Sequence, residues 1–92
     1  MNGMFKNATS FNGTIGGWDV SSGIYFDSMF RNASAFNQDI GSWDVSNGKD
    51  FSGTFLAASS FNQDIDSWDL SRAESVYGMF TGASNFNQNL EI

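Results

Sequence analysis

Phenylalanine recurs with one strict period along the whole chain, and this period dominates the pattern of hydrophobic positions. Tryptophan follows the same period and is followed each time by aspartate. No insertion or deletion interrupts the register. A strict period predicts units that stack on one another and bury the same positions in every copy. Three aromatic columns result: Phe5, Phe30, Phe55 and Phe80; Phe11, Phe36, Phe61 and Phe86; and Trp18, Trp43 and Trp68.

The copy at residues 26–50 predicts the elements of one coil. Phe26, Met29, Phe30 and Ala33 have the i, i+3, i+4, i+7 spacing of a short helix or 3₁₀ turn. The run 43–46, Trp-Asp-Val-Ser, alternates apolar and polar residues, as a short parallel strand does. We therefore predict an α/β repeat solenoid of about 3.7 coils. It is one domain over residues 1–92, with repeats 1–25, 26–50 and 51–75 and a partial repeat 76–92.

Small and large residues exchange places within one predicted pocket. Gly23 and Gly48 each precede a phenylalanine by three residues, whereas Ala73 precedes the smaller Val76. Glycine is thus paired with the large phenylalanine, and the larger alanine with the smaller valine. Such an exchange is typical of volume compensation in a shared core.

The amino-acid composition excludes several kinds of catalytic and metal site and several classes of partner. The chain has no Cys and no His, so a thiolate nucleophile, the usual general base and the common zinc ligands are missing. We expect no cofactor. A net charge of −6 argues against nucleic acid as a partner. No apolar run is long enough for membrane insertion, and the first five residues do not resemble a signal peptide.

The carboxylates of Asp19, Asp44 and Asp69 form the first candidate site. Stacked carboxylates repel one another, so calcium or a basic partner could lie beside them, and the column Ser21, Ser46 and Ser71 could add oxygen ligands. The alternative is that each Asp is solvated or accepts a backbone N–H within a turn. We predict an interaction surface made of Asp19, Ser21, Asp44, Ser46, Asp69 and Ser71.

Asparagine forms a second polar column, which follows the second phenylalanine of each copy. We predict that these side chains bind backbone groups left unpaired where the coil crosses over, rather than a ligand. The column is Asn12, Asn37, Asn62 and Asn87. Because the acidic residues recur in every copy, and an active site is a single constellation, we predict no catalytic residue and no enzyme.

The strings Phe36-Asn37-Gln38-Asp39-Ile40 and Trp43-Asp44-Val45-Ser46, with the recurring Met-Phe-x-x-Ala, resemble the BspA-like leucine-rich repeat proteins. The resemblance covers essentially the whole chain. It implies a leucine-rich-repeat-like solenoid, an extracellular or cell-surface location and a role in adhesion or protein binding.

Two functions remain open at this stage. The chain is either an adhesion module that binds a protein or glycan, or a structural subunit that docks with its neighbours in a larger assembly or filament. The feature that discriminates them is the ends, which lack cap-like sequences; a fragment of a longer surface protein would explain this, and so would end-on docking. We expect apolar surface there, with Phe86 and Leu90 as contact residues at the open end.

Overall fold

The computed structural model describes residues 1–90, and this part of the chain contains neither an α-helix nor an extended strand. Its only bridges are isolated and parallel, from Tyr25 to Asp50 and from Asp50 to Ser75. The predicted leucine-rich-repeat-like α/β solenoid, with a helix and a strand in each coil, is therefore wrong. The repeats instead form turn-rich layers in a body of 29 × 23 × 19 Å.

Left-handed backbone prevents the predicted helix. Each layer contains a short turn segment, at 2–7, 27–32, 52–57 and 77–82. In the second segment Ser28 and Asn32 have φ of 57° and 59°, and in the third Gly53 and Ala57 have 63° and 58°. An α-helix of L-residues cannot pass through such positions. Overlapping turns replace it while keeping Phe26, Met29 and Phe30 on the buried side.

Backbone groups in the turn segments bond alternately within a layer and between layers. In the second layer, the N–H groups of Met29 and Arg31 close turns onto carbonyls three residues earlier. The N–H groups of Ser28 and Phe30 donate to the carbonyls of Ser52 and Thr54 in the next layer, at 2.9 and 2.8 Å. This alternation satisfies both sets of backbone donors without helix or sheet.

The predicted strand at 43–46 keeps its side-chain alternation but forms no ladder. Trp43 and Val45 are buried and Asp44 is exposed, as the pattern predicted. The segment is joined to the preceding layer by a side chain, since the indole N–H of Trp43 donates to the carbonyl of Ile15 at 3.0 Å. Trp68 repeats this bond to Ile40.

Stacked phenylalanine rings form the core. Phe30 and Phe55 lie 5.5 Å apart between ring centroids, and Phe36 and Phe61 lie 5.9 Å apart, with nearly parallel planes. All four side chains have no exposed surface. The prediction that the phenylalanine columns form the core is confirmed.

The predicted volume compensation is also confirmed. A Cβ atom on Gly48 would lie 2.4 Å from Cζ of Phe51, and one on Gly23 would lie 2.5 Å from Cζ of Phe26. Alanine therefore fits this column only where the partner is smaller, as Val76 is.

Candidate functional site

The six residues of the predicted interaction surface form one repeated turn, which we call the Asp–Ser face. In each of the first three repeats an aspartate side chain accepts from the serine two residues later. Oδ1 of Asp44 accepts the N–H of Ser46 at 3.1 Å and its hydroxyl at 2.6 Å. Asp19 and Ser21 repeat both bonds, and Asp69 accepts the N–H of Ser71 at 2.9 Å.

The two buried neighbours of Asp44 orient its carboxylate. Trp43 and Val45 enter the core on either side of Asp44, so the carboxylate between them points to solvent. The three aspartates are exposed. Within residues 1–90 no strand supports this face. The indole N–H groups of Trp43 and Trp68 join the second and third turns to the preceding layer, whereas Trp18 beside Asp19 is exposed.

Hydrogen bonding lowers the pKa of all three aspartates. The hydroxyl of Ser46, and then its backbone N–H, hold the pKa of Asp44 below its ordinary value. The neighbouring charges of Asp19 and Asp69 raise the pKa of Asp44, but less strongly. The pKa of Asp69 is lowered chiefly by Ser71, with a smaller contribution from Arg72. The face therefore presents fixed negative charge at neutral pH.

The geometry matches the turn alternative for each aspartate. Within residues 1–90, no group of three or more acidic, histidine or cysteine side chains could hold a metal ion. Calcium binding at Asp19, Asp44 and Asp69 stays a prediction, to be tested by adding calcium during thermal unfolding.

The asparagine column has the structural role predicted for it. Oδ1 of Asn37 accepts the backbone N–H of Asn62 at 2.9 Å and the side-chain amide of Gln63 at 3.1 Å. Asn12 does the same for Asn37 and Gln38. These amides join the crossing segments of neighbouring layers, where no backbone ladder forms among the described residues.

The predicted contact residues at the open end, Phe86 and Leu90, pack partly against the core. Leu90 also lines an open pocket of about 800 Å³ on the outer side of the last layer. Phe86 does not line it. The pocket's other walls include Val76, Met79 and Phe80. Leu70, which lies between Asp69 and Ser71 of the Asp–Ser face, also lines this pocket.

A second acidic surface lies outside the predicted interaction surface. Asp39, Asp64 and Asp66 line a shallow pocket of about 470 Å³ with glycine and serine. Oδ1 of Asp39 accepts the N–H of Gly41, and Oδ1 of Asp64 accepts that of Asp66, so these two carboxylates close turns. The recurrence of Asp39 and Asp64 at equivalent positions of successive repeats was the available signal.

Comparisons with known proteins place the chain in a family. None of the described residues forms a helix with the length and apolar character of a membrane span. Neither the curated proteins nor the solved structures give a match. A family model described as "Mycoplasma protein of unknown function, DUF285" matches residues 1–92, and the chain belongs to that family.

Proposed function

We propose that this chain is a non-catalytic interaction module that acts at a cell surface, with the Asp–Ser face as its contact surface. The observation that carries the proposal is the repetition of one hydrogen-bonded Asp–Ser turn in three successive layers. Because serine fixes each carboxylate before any partner arrives, little side-chain entropy is lost on binding.

Charge selects the class of partner. The aspartates are exposed, and the whole chain has a net charge of −6. A complementary surface is basic, so a protein segment rich in lysine or arginine fits this face better than a neutral glycan does. The resemblance to BspA-like proteins supports the surface location and the adhesive role.

A hexalysine peptide tests the contact surface, with hexaglutamate as the control peptide. We expect hexalysine to shift the backbone amide NMR signals of the Asp–Ser turns. Asp44→Asn should weaken binding about two- to five-fold, the effect of one exposed ion pair. Glu74→Gln removes the same charge from an exposed position outside the face. Equal losses from both variants would contradict a role for the face.

The surface location has its own test. Trypsin added to intact source cells should digest a protein displayed outside, and it should spare a cytoplasmic marker until the cells are lysed. Protection of this protein in intact cells would contradict the location and leave the peptide-binding result unaffected.

A structural role is a second candidate, and one observation favours it. All the large hydrophobic side chains exposed in residues 1–90 lie in the first repeat or the last, at Met4, Trp18, Ile24, Tyr25, Val76 and Tyr77. Apolar surface confined to the two end layers suits a subunit that contacts its neighbours there.

A further inference from the structure

The end layers differ from the inner layers chiefly in what covers them. Met4 is 52% exposed, whereas Met29, one repeat later, has no exposed surface. Val76 is 49% exposed, whereas its equivalent Phe51 is fully buried. Phe51, Phe55 and Ile65 lie one repeat before the walls of the 800 Å³ pocket, and the layer of residues 76–90 buries all three. The surface equivalent to the pocket is therefore buried in the layer of residues 51–75, because the next layer covers it.

The two outer surfaces are complementary in their backbone groups. Each inner turn segment donates N–H groups to carbonyls of the following layer, as Gly53 donates to Tyr77 and Phe55 to Met79. In residues 1–90, the N–H groups of Gly78, Phe80 and Gly82 have no such acceptor, and the carbonyls of Asn2, Met4 and Lys6 accept no backbone N–H. One outer surface presents spare donors and the other spare acceptors, at the same spacing.

We propose that a second copy of this chain docks head to tail on the pocket surface of the last layer. In this register Gly78, Phe80 and Gly82 donate to Asn2, Met4 and Lys6 of the second copy. Phe80 then stacks on Phe5 of the second copy, and Phe86 on its Phe11. The proposal rests on the end layers and is independent of the Asp–Ser face.

Side chains continue the same register. The indole N–H of Trp68 donates to the carbonyl of Ile40, 28 residues earlier. The Trp18 indole has no equivalent acceptor among residues 1–90, and its side chain is 44% exposed. When a second copy follows the first in register, Leu90 of the first copy occupies the position that Ile40 holds relative to Trp68. The carbonyl of Leu90 is then the acceptor of the Trp18 indole N–H.

Such a contact uses two different surfaces, so it does not close on itself. Each docked copy leaves one donor surface and one acceptor surface free, and the product is an open chain of copies rather than a symmetric dimer. The net charge of −6 on each copy opposes docking. Added salt screens this repulsion and should strengthen association.

Two charge variants separate this arrangement from its alternatives. Met4→Lys blocks the acceptor surface and Val76→Lys blocks the donor surface. Leu56→Lys is the matched control, because the equivalent positions one and two repeats earlier are Arg31 and Lys6. Circular dichroism and thermal melting establish that each variant folds. If either variant fails to fold, Trp18→Lys and Leu90→Lys replace them at the same two surfaces.

Analytical ultracentrifugation from micromolar to millimolar concentration gives the readout. The wild-type chain and Leu56→Lys should form dimers and larger species as concentration rises. Met4→Lys and Val76→Lys should each remain monomeric, while their equimolar mixture should stop at dimers. A monomeric wild-type chain throughout this range overturns the proposal. So does a dimer formed by either end variant alone, because that requires two like surfaces to meet.

Discussion

At the scale of single residues, two kinds of position control the fold. Positive φ bends the chain where a helix would continue; the residues that adopt it are Asn7, Ser28, Asn32 and Ala57, and glycine at the remaining positions of the same two columns. Glycine three residues before a core phenylalanine provides the space that its ring fills. The first kind governs backbone path and the second governs packing.

Gly48→Ala should destabilise the protein by about 1–3 kcal/mol, the usual cost of overpacking. The added methyl group would meet Cζ of Phe51 at 2.4 Å and the carbonyl oxygen of Val45 at 3.0 Å. Phe51→Val should lose stability by creating a cavity. Chemical denaturation should show that the double variant loses less free energy of unfolding than the two single variants lose together. The reason is that its Ala–Val pair reproduces the pair Ala73 and Val76. Strict additivity would contradict a shared pocket.

Phe61→Ala should cost about 3–5 kcal/mol, since the ring is fully buried between two others in its column. That loss is comparable to the whole stability of a small domain. Phe86→Ala is the control, because Phe86 is only partly buried and has one ring neighbour in its column. A Phe61→Ala protein that melts at the parent temperature would contradict the core assignment.

At the scale of the elements, the repeated unit is a turn segment followed by a crossing joined to its neighbours by side chains. The sequence pattern predicted which residues are buried but not the backbone that buries them. Successive turns closed between residues three apart place Phe26, Met29 and Phe30 on one side, as a helix does. Hydrophobic spacing alone cannot distinguish a helix from such a series of turns. The available signal was the column of Gly3, Gly53 and Gly78, since recurring glycine indicates positive φ.

Asn37→Ala should destabilise the protein by about 0.5–1.5 kcal/mol, because it removes the acceptor of the Asn62 N–H and one of the two acceptors of the Gln63 side-chain amide. Urea unfolding measures the change. Asn87→Ala is the matched control, since within residues 1–90 no later layer donates to Asn87. Equal losses would show that the amide ladder between layers is not the cause.

Ser46→Ala should raise the pKa of Asp44 toward its ordinary value, because both the hydroxyl and the N–H of Ser46 lower it and the hydroxyl contributes more. NMR titration of the carboxyl carbon measures the shift, with Ser42→Ala as control. A lowered pKa in the folded state stabilises the protein above the unfolded-state pKa, and this contribution is lost as pH falls through the folded-state value. The parent and Ser46→Ala proteins should therefore approach one another in stability at acid pH. An unchanged Asp44 pKa would contradict the cause given.

At the scale of the whole molecule, the strict repeat period predicted the stacking of equivalent side chains, and the rings of Phe5, Phe30, Phe55 and Phe80 lie in one column as expected. The aspartates and serines of the Asp–Ser face form one repeated turn, whereas the strand predicted for them is absent from residues 1–90. Their role as an interaction surface stays a prediction. The repeat period did not predict which carbonyl groups accept the backbone N–H groups. Parallel bridges occur at Tyr25, Asp50 and Ser75, a position marked by no apolar alternation.

Amide hydrogen exchange should distinguish the layers in a dilute solution. Gly53, Phe55 and Ala57 donate to the next layer and should be protected. Gly78, Phe80 and Gly82 should exchange much faster, because no described residue accepts their N–H groups. Protection of both sets at high dilution would contradict the assigned bonding. Protection of the second set that appears only at high concentration would accompany docking of copies.

The alternating turns have an electrostatic consequence. Every second peptide of the turn segments points its N–H toward the last layer, so these peptide dipoles add along the stack as they do along a helix axis. The last layer is the positive end and the first layer the negative end, opposite in chain direction to an α-helix. A carboxylate on the turn segment of the last layer is therefore favoured, and a basic side chain such as Lys6 suits the first.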